Sequence, residues 1–373
     1  MRTTHREDAR EEHCGRLRGR RILLTGASSG VGLAATRMFA AEGARLVVVA
    51  RRGDALEQLL LAEGIDAVVI GVDLADRAAT QRAVSDAVDA LGGLDVLVSN
   101  AAAAVFGHVL EVHPDDFDRT IDVTFTGAVN VIRSALPHLR RSRGVIVVTG
   151  SLMARVPLPT WSSYAAAKHA LRGFLNSLQV EEIEQGSGVR CAMVHPGPID
   201  TPLFAHASSA TTRAPRVVPD AYSPEVVAQA LVEVAINPRR EVVLGGETRI
   251  MDLMFAGARP LAEGVLVLVD RWYRSGGERA HEPGSLWHAP LRPQLSGGIP
   301  SRDSLFAPLQ LGRRLLPPVS TPLRFARHLG AAARRAAHLR PALTSTVREQ
   351  PSPAESLGTK PAARPRAAGQ VTV

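Results

Sequence analysis

Short apolar runs alternate with longer helical patterns between about residues 20 and 250, and this alternation constrains the fold more than any other feature of the sequence. The runs are rich in Val, Ile and Leu and lack the apolar–polar alternation of a half-exposed strand, so each strand is expected to be covered on both faces. About seven strands separated by helices predict an α/β fold with a doubly wound parallel sheet, Rossmann-like in architecture. The predicted strands are 20–25, 44–50, 66–71, 94–99, 144–149, 189–194 and 241–245.

The domain organisation follows from where this alternation begins and ends. We predict a flexible N-terminal segment over 1–19, one α/β domain over 20–250, an additional amphipathic helix over 251–273, and a basic Pro/Arg-rich tail over 274–373 that is partly disordered. The helices predicted between the strands include 31–42, 75–91, 114–139, 162–184 and 224–236.

The formal net charge of +8 comes from the two ends of the chain, because residues 22–270 carry more acidic than basic side chains. An acidic body gives no electrostatic reason to expect nucleic-acid binding. Segment 323–340, in the basic tail, has a helical composition and a basic face. This segment is either part of a solvated tail or a helix that contacts an anionic membrane surface or a partner protein.

Three features bear on the location of the protein. Residues 1–21 contain no apolar stretch of the kind that a secretory signal needs. Segment 261–269 is apolar but too short and too charged at its borders to span a bilayer. The chain has two cysteines, too few for a disulfide framework. We therefore expect a cytoplasmic protein whose tail allows peripheral membrane contact.

A glycine-rich turn, TGASSGVG at residues 25–32, joins the first predicted strand to the first predicted helix. Glycines in such a turn let a pyrophosphate approach the helix N-terminus, where free N–H groups and the helix dipole stabilise anions. Dinucleotides bind at this place in a sheet of this type, so we predict a dinucleotide cofactor. The residues expected to contact it here are Gly26, Ser28, Ser29, Gly30, Val31 and Gly32.

The end of the second predicted strand bears on which dinucleotide binds. A ribose 2′-hydroxyl is usually held by an acidic side chain at this place, whereas a 2′-phosphate needs a cation. Here the strand ends in Arg51 and Arg52, and the first acidic residue is Asp54. A guanidinium group matches a phosphate through two parallel hydrogen bonds, so Arg51 favours NADP(H) over NAD(H).

Tyr164 and Lys168 lie four residues apart in a predicted helix, and therefore on the same face of it. A nearby ammonium group favours the phenolate form of a tyrosine and makes the side chain a usable acid–base near neutral pH. Only two of the 44 basic residues are lysines, which makes this spacing distinctive. Ser151, at the end of the fifth predicted strand, is placed to donate a hydrogen bond to a substrate carbonyl oxygen, which suits hydride transfer.

Together these motifs resemble the short-chain dehydrogenase/reductase family over about residues 18–250. The resemblance is carried by the glycine-rich turn, by Ser151, by Tyr164 with Lys168, and by short segments after the third, fourth and sixth strands. Those segments are Asp73-Leu74, Ser99-Asn100-Ala101-Ala102 and Pro196-Gly197-Pro198-Ile199-Asp200-Thr201.

The resemblance implies an enzyme that transfers a hydride between a nicotinamide cofactor and an alcohol or carbonyl substrate. It implies that Tyr164 is the general acid–base and that Ser151 orients the carbonyl. Lys168 would bind the nicotinamide ribose and lower the pKa of Tyr164. Further cofactor contacts are implied for Asp73, Leu74, Asn100, Ala101, Pro196, Ile199 and Thr201.

The sequence departs from the family pattern at two positions. Thr124 stands where the family often has a catalytic asparagine that holds a water molecule in a proton relay, which calls this relay into question. Asn130 lies six residues further on, off the same helical face, and is a poor substitute. Ala102 replaces a family glycine, and its methyl group would shift the backbone if that glycine has a conformation that alanine disfavours.

Residues where the family lines its substrate pocket are mostly apolar here and favour a lipophilic alcohol or ketone. They are Met153, Val156, Leu158, Trp161 and Phe204. His195, before Pro196 and Gly197, either reaches the mouth of the pocket or is a hydrogen-bonded core histidine. No His, Cys and Asp cluster has the spacing of a metal site, so no metal is expected.

We therefore predict an NADP(H)-dependent oxidoreductase that acts on an apolar small molecule. The alternative is a catalytically weak NADP(H)-binding regulator or scaffold that acts through its basic tail. The resemblance further implies a homodimer or homotetramer, paired through the helices predicted at 114–139 and 162–184.

Overall fold

A seven-stranded parallel sheet lies at the centre of the protein. The structure is a computed structural model that describes residues 15–203, 207–210, 221–274, 284–288, 292–298 and 301–302. The strands of the sheet in chain order are β1 (Arg21–Thr25), β2 (Arg45–Ala50), β3 (Ala67–Gly71), β4 (Val96–Ser99), β5 (Val145–Thr149), β6 (Arg190–His195) and β7 (Glu241–Val243). Their spatial order is β3-β2-β1-β4-β5-β6-β7. This is the doubly wound, Rossmann-like order that the sequence predicts.

Helices cover both faces of the sheet. Ile22 and Leu24 of β1 belong to one apolar cluster and Leu23 to the other, because successive side chains of a strand point to opposite faces. The first cluster includes residues of α1, α2 and α7, and the second includes residues of α3, α5 and α6. The helices are α1 (Gly30–Ala41), α2 (Gly53–Ala62), α3 (Arg77–Leu91), α4 (Pro114–Ile121), α5 (Gly127–Ser142), α6 (Ser162–Glu184), α7 (Pro224–Ile236), α8 (Gly246–Gly257), α9 (Arg259–Tyr273) and α10 (Gly284–Trp287).

Two helical stretches differ from the prediction. The helix predicted over 114–139 is interrupted by a π-helical turn at Asp122–Thr126, which separates α4 from α5. Such turns add a residue to the helical repeat and are frequent at functional sites. The single helix predicted over 251–273 is two helices, α8 and α9. Pro260, at the start of α9, lacks the N–H group that would continue the hydrogen-bond ladder of α8.

Part of the predicted tail is folded onto the α/β domain. Residues 284–288, which include α10, and residues 292–298 hydrogen-bond to the loops after the strands. Ser301–Arg302 also pairs in parallel with Ala221–Tyr222. Segments 1–14 and 323–340 lie outside the described residues. None of the helices in the described stretches is long and apolar enough to cross a membrane.

A buried hydroxyl group joins the carboxyl ends of the two central strands. Thr25, the last residue of β1, is fully buried, and its Oγ1 accepts hydrogen bonds from the N–H groups of Asn100 (3.0 Å) and Ala101 (3.3 Å). The Asn100 side chain donates in return to the carbonyl oxygen of Gly26 at 3.2 Å. These bonds hold the glycine-rich turn against the segment after β4, where the two loops diverge to form a crevice.

We expect Thr25→Val to lower the free energy of unfolding by about 2–4 kcal/mol, because it leaves two buried N–H groups without their acceptor. The matched control is Thr36→Val in α1, which removes only the hydroxyl bond to the carbonyl oxygen of Gly32. That carbonyl keeps its place in the helix ladder, so the control should cost less than about 1 kcal/mol. Urea unfolding of both variants measures the difference, and equal losses would contradict this role of Thr25.

Candidate active site

A cleft lies at the carboxyl ends of β1, β4, β5 and β6, the edge of a doubly wound sheet where ligands bind. It brings together residues from the turn after β1, from the ends of β2 and β3, and from α6. The predicted site residues that line it are Gly26, Ser28, Ser29, Gly30, Val31, Arg51, Asp73, Leu74, Asn100, Ala101, Ser151, Met153, Leu158, Trp161, Tyr164, Lys168, Pro196, Ile199 and Thr201.

The glycine-rich turn has no room for side chains at two of its glycines. A Cβ atom on Gly32 would lie 1.9 Å from the carbonyl oxygen of Gly26. A Cβ atom on Gly26 would lie 2.7 Å from Cα of Ala101, and Gly26 also has a positive φ of 71°. The backbone of the turn therefore lies in direct contact with the first turn of α1. The first N–H groups of a helix can hold an anion.

Ser151, Tyr164 and Lys168 meet on one side of this cleft. Ser151 follows β5, and its Oγ accepts a hydrogen bond from the N–H of Met153 at 3.0 Å. Ser151 lies close enough to Tyr164, in the first turn of α6, to lower the pKa of the phenol. One helical turn further on, the Lys168 Nζ donates to the carbonyl oxygen of Thr149 at 2.8 Å and lies 5.5 Å from the centre of the Tyr164 ring.

Burial governs the protonation of this group. Desolvation raises the pKa of Tyr164 well above its usual value, and the hydroxyl of Ser151 offsets only part of that rise. Desolvation lowers the pKa of Lys168 from 10.5 to about 8. The net shift of the Tyr164 pKa is thus opposite to the lowering that the sequence implied. The tyrosine is a protonated phenol at neutral pH.

Thr124 does not face the cleft. It is fully buried in the π-helical turn, where its hydroxyl donates to the carbonyl oxygen of Ala103 at 2.9 Å and accepts from the N–H of the same residue at 3.0 Å. Asn130 is also turned away, since its side-chain amide donates to the carbonyl oxygen of Leu74 at 3.0 Å. Neither side chain is available to hold a water molecule beside Tyr164.

The replacement of a family glycine by Ala102 causes no backbone strain. Within the described stretches, the non-glycine residues with a positive φ are Arg143 and Thr160. Ala102 therefore has an ordinary backbone conformation, and its main chain lines the cleft without the shift that the sequence made conceivable.

Two arginines and an aspartate face one another at the far end of the cleft. Asp73, after β3, accepts from the N–H of Ala75 at 3.0 Å and pairs with the guanidinium of Arg119 from α4. Burial opposes the charge of Asp73, but the bonds from Arg119 and Ala75 prevail and lower its pKa below the usual value. Arg51 lies close enough to Asp73 and Arg119 for the charges of both groups to act on its guanidinium. Its Nη1 donates to the carbonyl oxygen of Leu286 at 2.9 Å, and its Nη2 donates to that of Ser285.

The opposite end of the cleft has an apolar wall. Met153, Leu158 and Trp161 line it together with Leu203 and Val269. The Trp161 ring meets the rings of Phe106 and Tyr164 edge to face, at 5.6 and 6.1 Å between centres. These contacts fix the position of the indole beside the acid–base candidate.

Other residues predicted for the substrate pocket are not part of its wall. His195 is fully buried beneath the cleft, where its Nδ1 lies 3.1 Å from the carbonyl oxygen of Ser151. His195 is the last residue of β6, and burial lowers its pKa to about 4. It is therefore a neutral core histidine. Val156 is also fully buried. Phe204 lies outside the described residues.

The amino-acid pattern over residues 20–212 matches the family model of the short chain dehydrogenases, which covers half of the chain. The chain belongs to the short-chain dehydrogenase family. The protein is therefore an oxidoreductase of the dehydrogenase/reductase class with a Rossmann-like fold, and the family binds NAD or NADP.

Relatives of this short-chain dehydrogenase are found in bacteria and vertebrates. An uncharacterized oxidoreductase of Bacillus subtilis, YxnA, is 34% identical over 65% of this chain and 69% of its own length. Dehydrogenase/reductase SDR family member 7B of Bos taurus is 33% identical over 60% of this chain and 72% of its own length. Among solved structures, an alcohol dehydrogenase from the archaeon Thermococcus sibiricus, complexed with 5-hydroxy-NADP, is 25% identical with a TM-score of 0.52. That match covers 60% of this chain and 94% of the archaeal chain.

Several residues at the site of this short-chain dehydrogenase were not anticipated from sequence. Arg119 lies in a helix that the sequence predicts, but no motif marked it as a site residue. Ser285, Leu286 and Trp287 lay in a stretch whose Pro, Gly and Arg content indicated a tail. Asp270 lines the cleft from α9, where it pairs with Arg274 and lies 3.2 Å from the Thr160 hydroxyl. The Arg119–Asp73 and Thr160–Asp270 contacts join residues more than 40 positions apart, and the contacts of 285–287 depend on how the tail folds, so no local pattern encodes them.

The stability of the protein should depend on pH through Lys168. Its pKa is about 8 in the folded protein and near 10.5 in the unfolded chain, so the unfolded state holds the extra proton between these values. Stability should therefore rise with pH across this window. Relative to Lys168→Met, the wild type should gain about 3 kcal/mol in free energy of unfolding when the whole window is crossed. Denaturant unfolding of both proteins at pH 7, 8, 9 and 10 measures the difference, and a difference independent of pH would contradict the buried ammonium group.

Proposed function

We propose that this short-chain dehydrogenase interconverts an apolar carbonyl compound and its alcohol with NADP(H), and that Tyr164 is the acid–base. The observation that carries the proposal is that Ser151, Tyr164 and the buried ammonium of Lys168 line the same cleft as the glycine-rich turn, with the Lys168 Nζ 5.5 Å from the centre of the Tyr164 ring. A proton donor, a polarising hydroxyl and an anion-binding turn in one cleft are the parts that reduction of a carbonyl needs.

The residues of the cleft fit a nicotinamide dinucleotide. The close approach of Gly26 and Gly32 leaves no side chain between the glycine-rich turn and the N-terminus of α1, so a pyrophosphate can come close to the backbone there. Asp73, Leu74, Asn100 and Ala101 would hold the adenine half, and Lys168, Pro196, Ile199 and Thr201 would hold the nicotinamide half. When bound, the nicotinamide ring supplies or accepts the hydride.

The chain's own residues would handle the proton. In the reducing direction Tyr164 would donate its phenolic proton to the carbonyl oxygen, and in the oxidising direction its phenolate would take the proton of the alcohol. Burial keeps Tyr164 protonated, which is the form that reduction requires. The hydroxyl of Ser151 polarises the carbonyl oxygen, and the positive charge of Lys168 stabilises the phenolate that remains.

A preference for NADP(H) is supported by the cations at the end of the cleft. Arg51 lines the cleft where β2 ends, and Arg119 lies beside it. A 2′-phosphate gains charge-assisted hydrogen bonds from such a pair, whereas a free ribose hydroxyl gains little. The archaeal alcohol dehydrogenase that matches this chain was solved with an NADP derivative, which is in line with the same preference.

The substrate class follows from the wall of Met153, Leu158 and Trp161. An apolar wall of this kind favours a small lipophilic alcohol, ketone or aldehyde. The homodimer or homotetramer implied by the family is supported by Val180 and Ile183, two large apolar side chains exposed on α6.

A second candidate function is a nucleotide-binding regulator that has little catalytic power. It is favoured by Thr124, whose hydroxyl is used by Ala103 and offers nothing to a proton relay. This candidate predicts binding of NADPH without turnover of any member of a panel of apolar ketones and aldehydes. Turnover of any one of these compounds would identify the protein as an enzyme and exclude the regulator.

Replacing Tyr164 by Phe should lower kcat by about 10²–10⁴-fold, because it removes the proton donor. The affinity for NADPH should stay nearly unchanged, since the ring and Lys168 remain. The measurement is the rate of NADPH oxidation with a carbonyl substrate identified by the panel, together with a fluorescence titration of NADPH.

Tyr222→Phe is the matched control, because Tyr222 is a buried tyrosine that does not line the cleft. The control should keep its turnover. A Tyr164→Phe enzyme as fast as the wild type on the same substrate would sink the proposed mechanism.

A further inference from the structure

Two stretches of the tail lie over the end of the cleft that would receive the adenosine half of the cofactor. We call residues 284–288 and 292–298 the C-terminal strap. The strap lies beyond residues 20–212, which match the family model. Ser285 of the strap lines the cleft together with Arg51, Asp73 and Leu74.

The first stretch of the strap is anchored by two side chains. Leu286 is buried in an apolar pocket formed by residues that include Val105, Val112 and Val123. Trp287 donates from Nε1 to a carboxylate oxygen of Asp116 at 2.6 Å, and the guanidinium of Arg119 stacks on its ring at 5.5 Å. A buried leucine beside a half-exposed, hydrogen-bonded tryptophan gives this stretch a defined position.

The second stretch of the strap follows the glycine-rich turn. The N–H of Gly30 donates to the carbonyl oxygen of Gln294 at 2.9 Å, and the N–H of Gln294 donates to that of Ser28 at 3.3 Å. Further along, Ser296 and Gly297 both donate to the carboxylate of Asp200, at 2.6 and 2.8 Å. The strap is thus attached at both ends of the cofactor cleft.

The main chain of the strap occupies the donors of two arginines. The carbonyl oxygen of Leu286 accepts from Nη1 of Arg51 at 2.9 Å and from Nε of Arg119 at 3.4 Å. The carbonyl oxygen of Ser285 accepts from Nη2 of Arg51. Two guanidinium groups therefore converge on one uncharged oxygen. A phosphate oxygen at this place would make the same hydrogen bonds with the added attraction of opposite charges.

We propose that the strap is an intramolecular competitor for the 2′-phosphate of the cofactor, and that Arg51 and Arg119 together form the site for which they compete. This inference rests on the proposed use of a nicotinamide dinucleotide. NADP(H) would have to displace the carbonyl groups of Ser285 and Leu286 to reach both amino groups of Arg51. NAD(H) has no 2′-phosphate and leaves this stretch of the strap where it is.

The competition has a quantitative consequence. Any competition at Gly30 affects both cofactors alike, because both carry the pyrophosphate. For NADP(H) alone, the apparent dissociation constant is further raised, as the intrinsic constant divided by the fraction of molecules in which the first stretch of the strap is open. Loosening the first stretch of the strap should therefore tighten NADPH binding and leave NADH binding unchanged. In this way the strap sets the degree of preference between the two cofactors. A partner that pulls on the tail would raise the preference for NADP(H).

The test uses Leu286→Ser in the full chain, which places a polar group in the apolar pocket and releases the strap without altering either arginine. We expect the dissociation constant of NADPH to fall by about fivefold or more and that of NADH to change by less than about twofold, as expected when a closed state is depopulated. Fluorescence titration of the two reduced nucleotides gives both constants. Leu261→Ser, a matched change at an exposed leucine of α9, should alter neither.

Two more variants make the result decisive. Trp287→Ala changes a half-exposed residue, so it keeps the fold and should act in the same direction as Leu286→Ser. Adding Arg51→Gln to Leu286→Ser should abolish the gain in NADPH affinity, because the site of competition is gone.

The remaining outcomes separate the two claims. If both nucleotides bind the wild type and the strap variants tighten or weaken them equally, the strap inference is wrong and the proposed function stands. If neither nucleotide binds the wild type or any variant, the proposed function and the strap inference both fail.

Discussion

The structure depends on how closely the turn after β1 packs against the end of β4. Because Gly32 and Gly26 have no side chains, the backbone of the turn contacts the N-terminus of α1, and the buried hydroxyl of Thr25 holds the segment after β4 beside it. This contact positions everything at the carboxyl edge of the sheet. It places the glycine-rich turn beside the segments that carry Asn100 and Ser151, so one cleft contains both this turn and the side chains proposed to react.

The catalytic end of the cleft places polar groups in a buried setting. Tyr164 and Lys168 are almost entirely removed from solvent. Desolvation raises the pKa of Tyr164 and lowers that of Lys168, and both shifts favour the neutral form of the side chain. The protein tolerates this cost because the lysine is held by a carbonyl group at the end of β5 and the tyrosine lies beside Ser151. Burial of these two groups costs stability, and in the proposed mechanism it places a proton donor beside a positive charge, which is a common exchange of stability for function.

Much of this could be predicted from the sequence. The strands and the doubly wound class of sheet follow from apolar runs and helical periodicity, which are local signals, and the turn and the Tyr164–Lys168 pair follow from fixed spacings. The break at Pro260 has a local cause and was still missed, because the apolar pattern continues across it. The pairing of Arg119 with Asp73 and of Arg51 with Ser285 and Leu286 has no local signal, since it depends on which distant segments the fold brings together. The pKa of Tyr164 was misjudged for the same reason, because the sequence displays the neighbouring lysine but not the depth of burial.

The most direct measurement of the central claim is thermal unfolding of the wild-type protein with saturating NADPH and, separately, with NADH at the same concentration. Binding at about 100 times the dissociation constant adds roughly 2.7 kcal/mol to the free energy of unfolding, which corresponds to a rise in Tm of roughly 5–10 °C for a domain of this size. The account predicts that both nucleotides raise the Tm and that NADPH raises it more. An unchanged Tm with both nucleotides would contradict the assignment of the cleft to a nicotinamide cofactor.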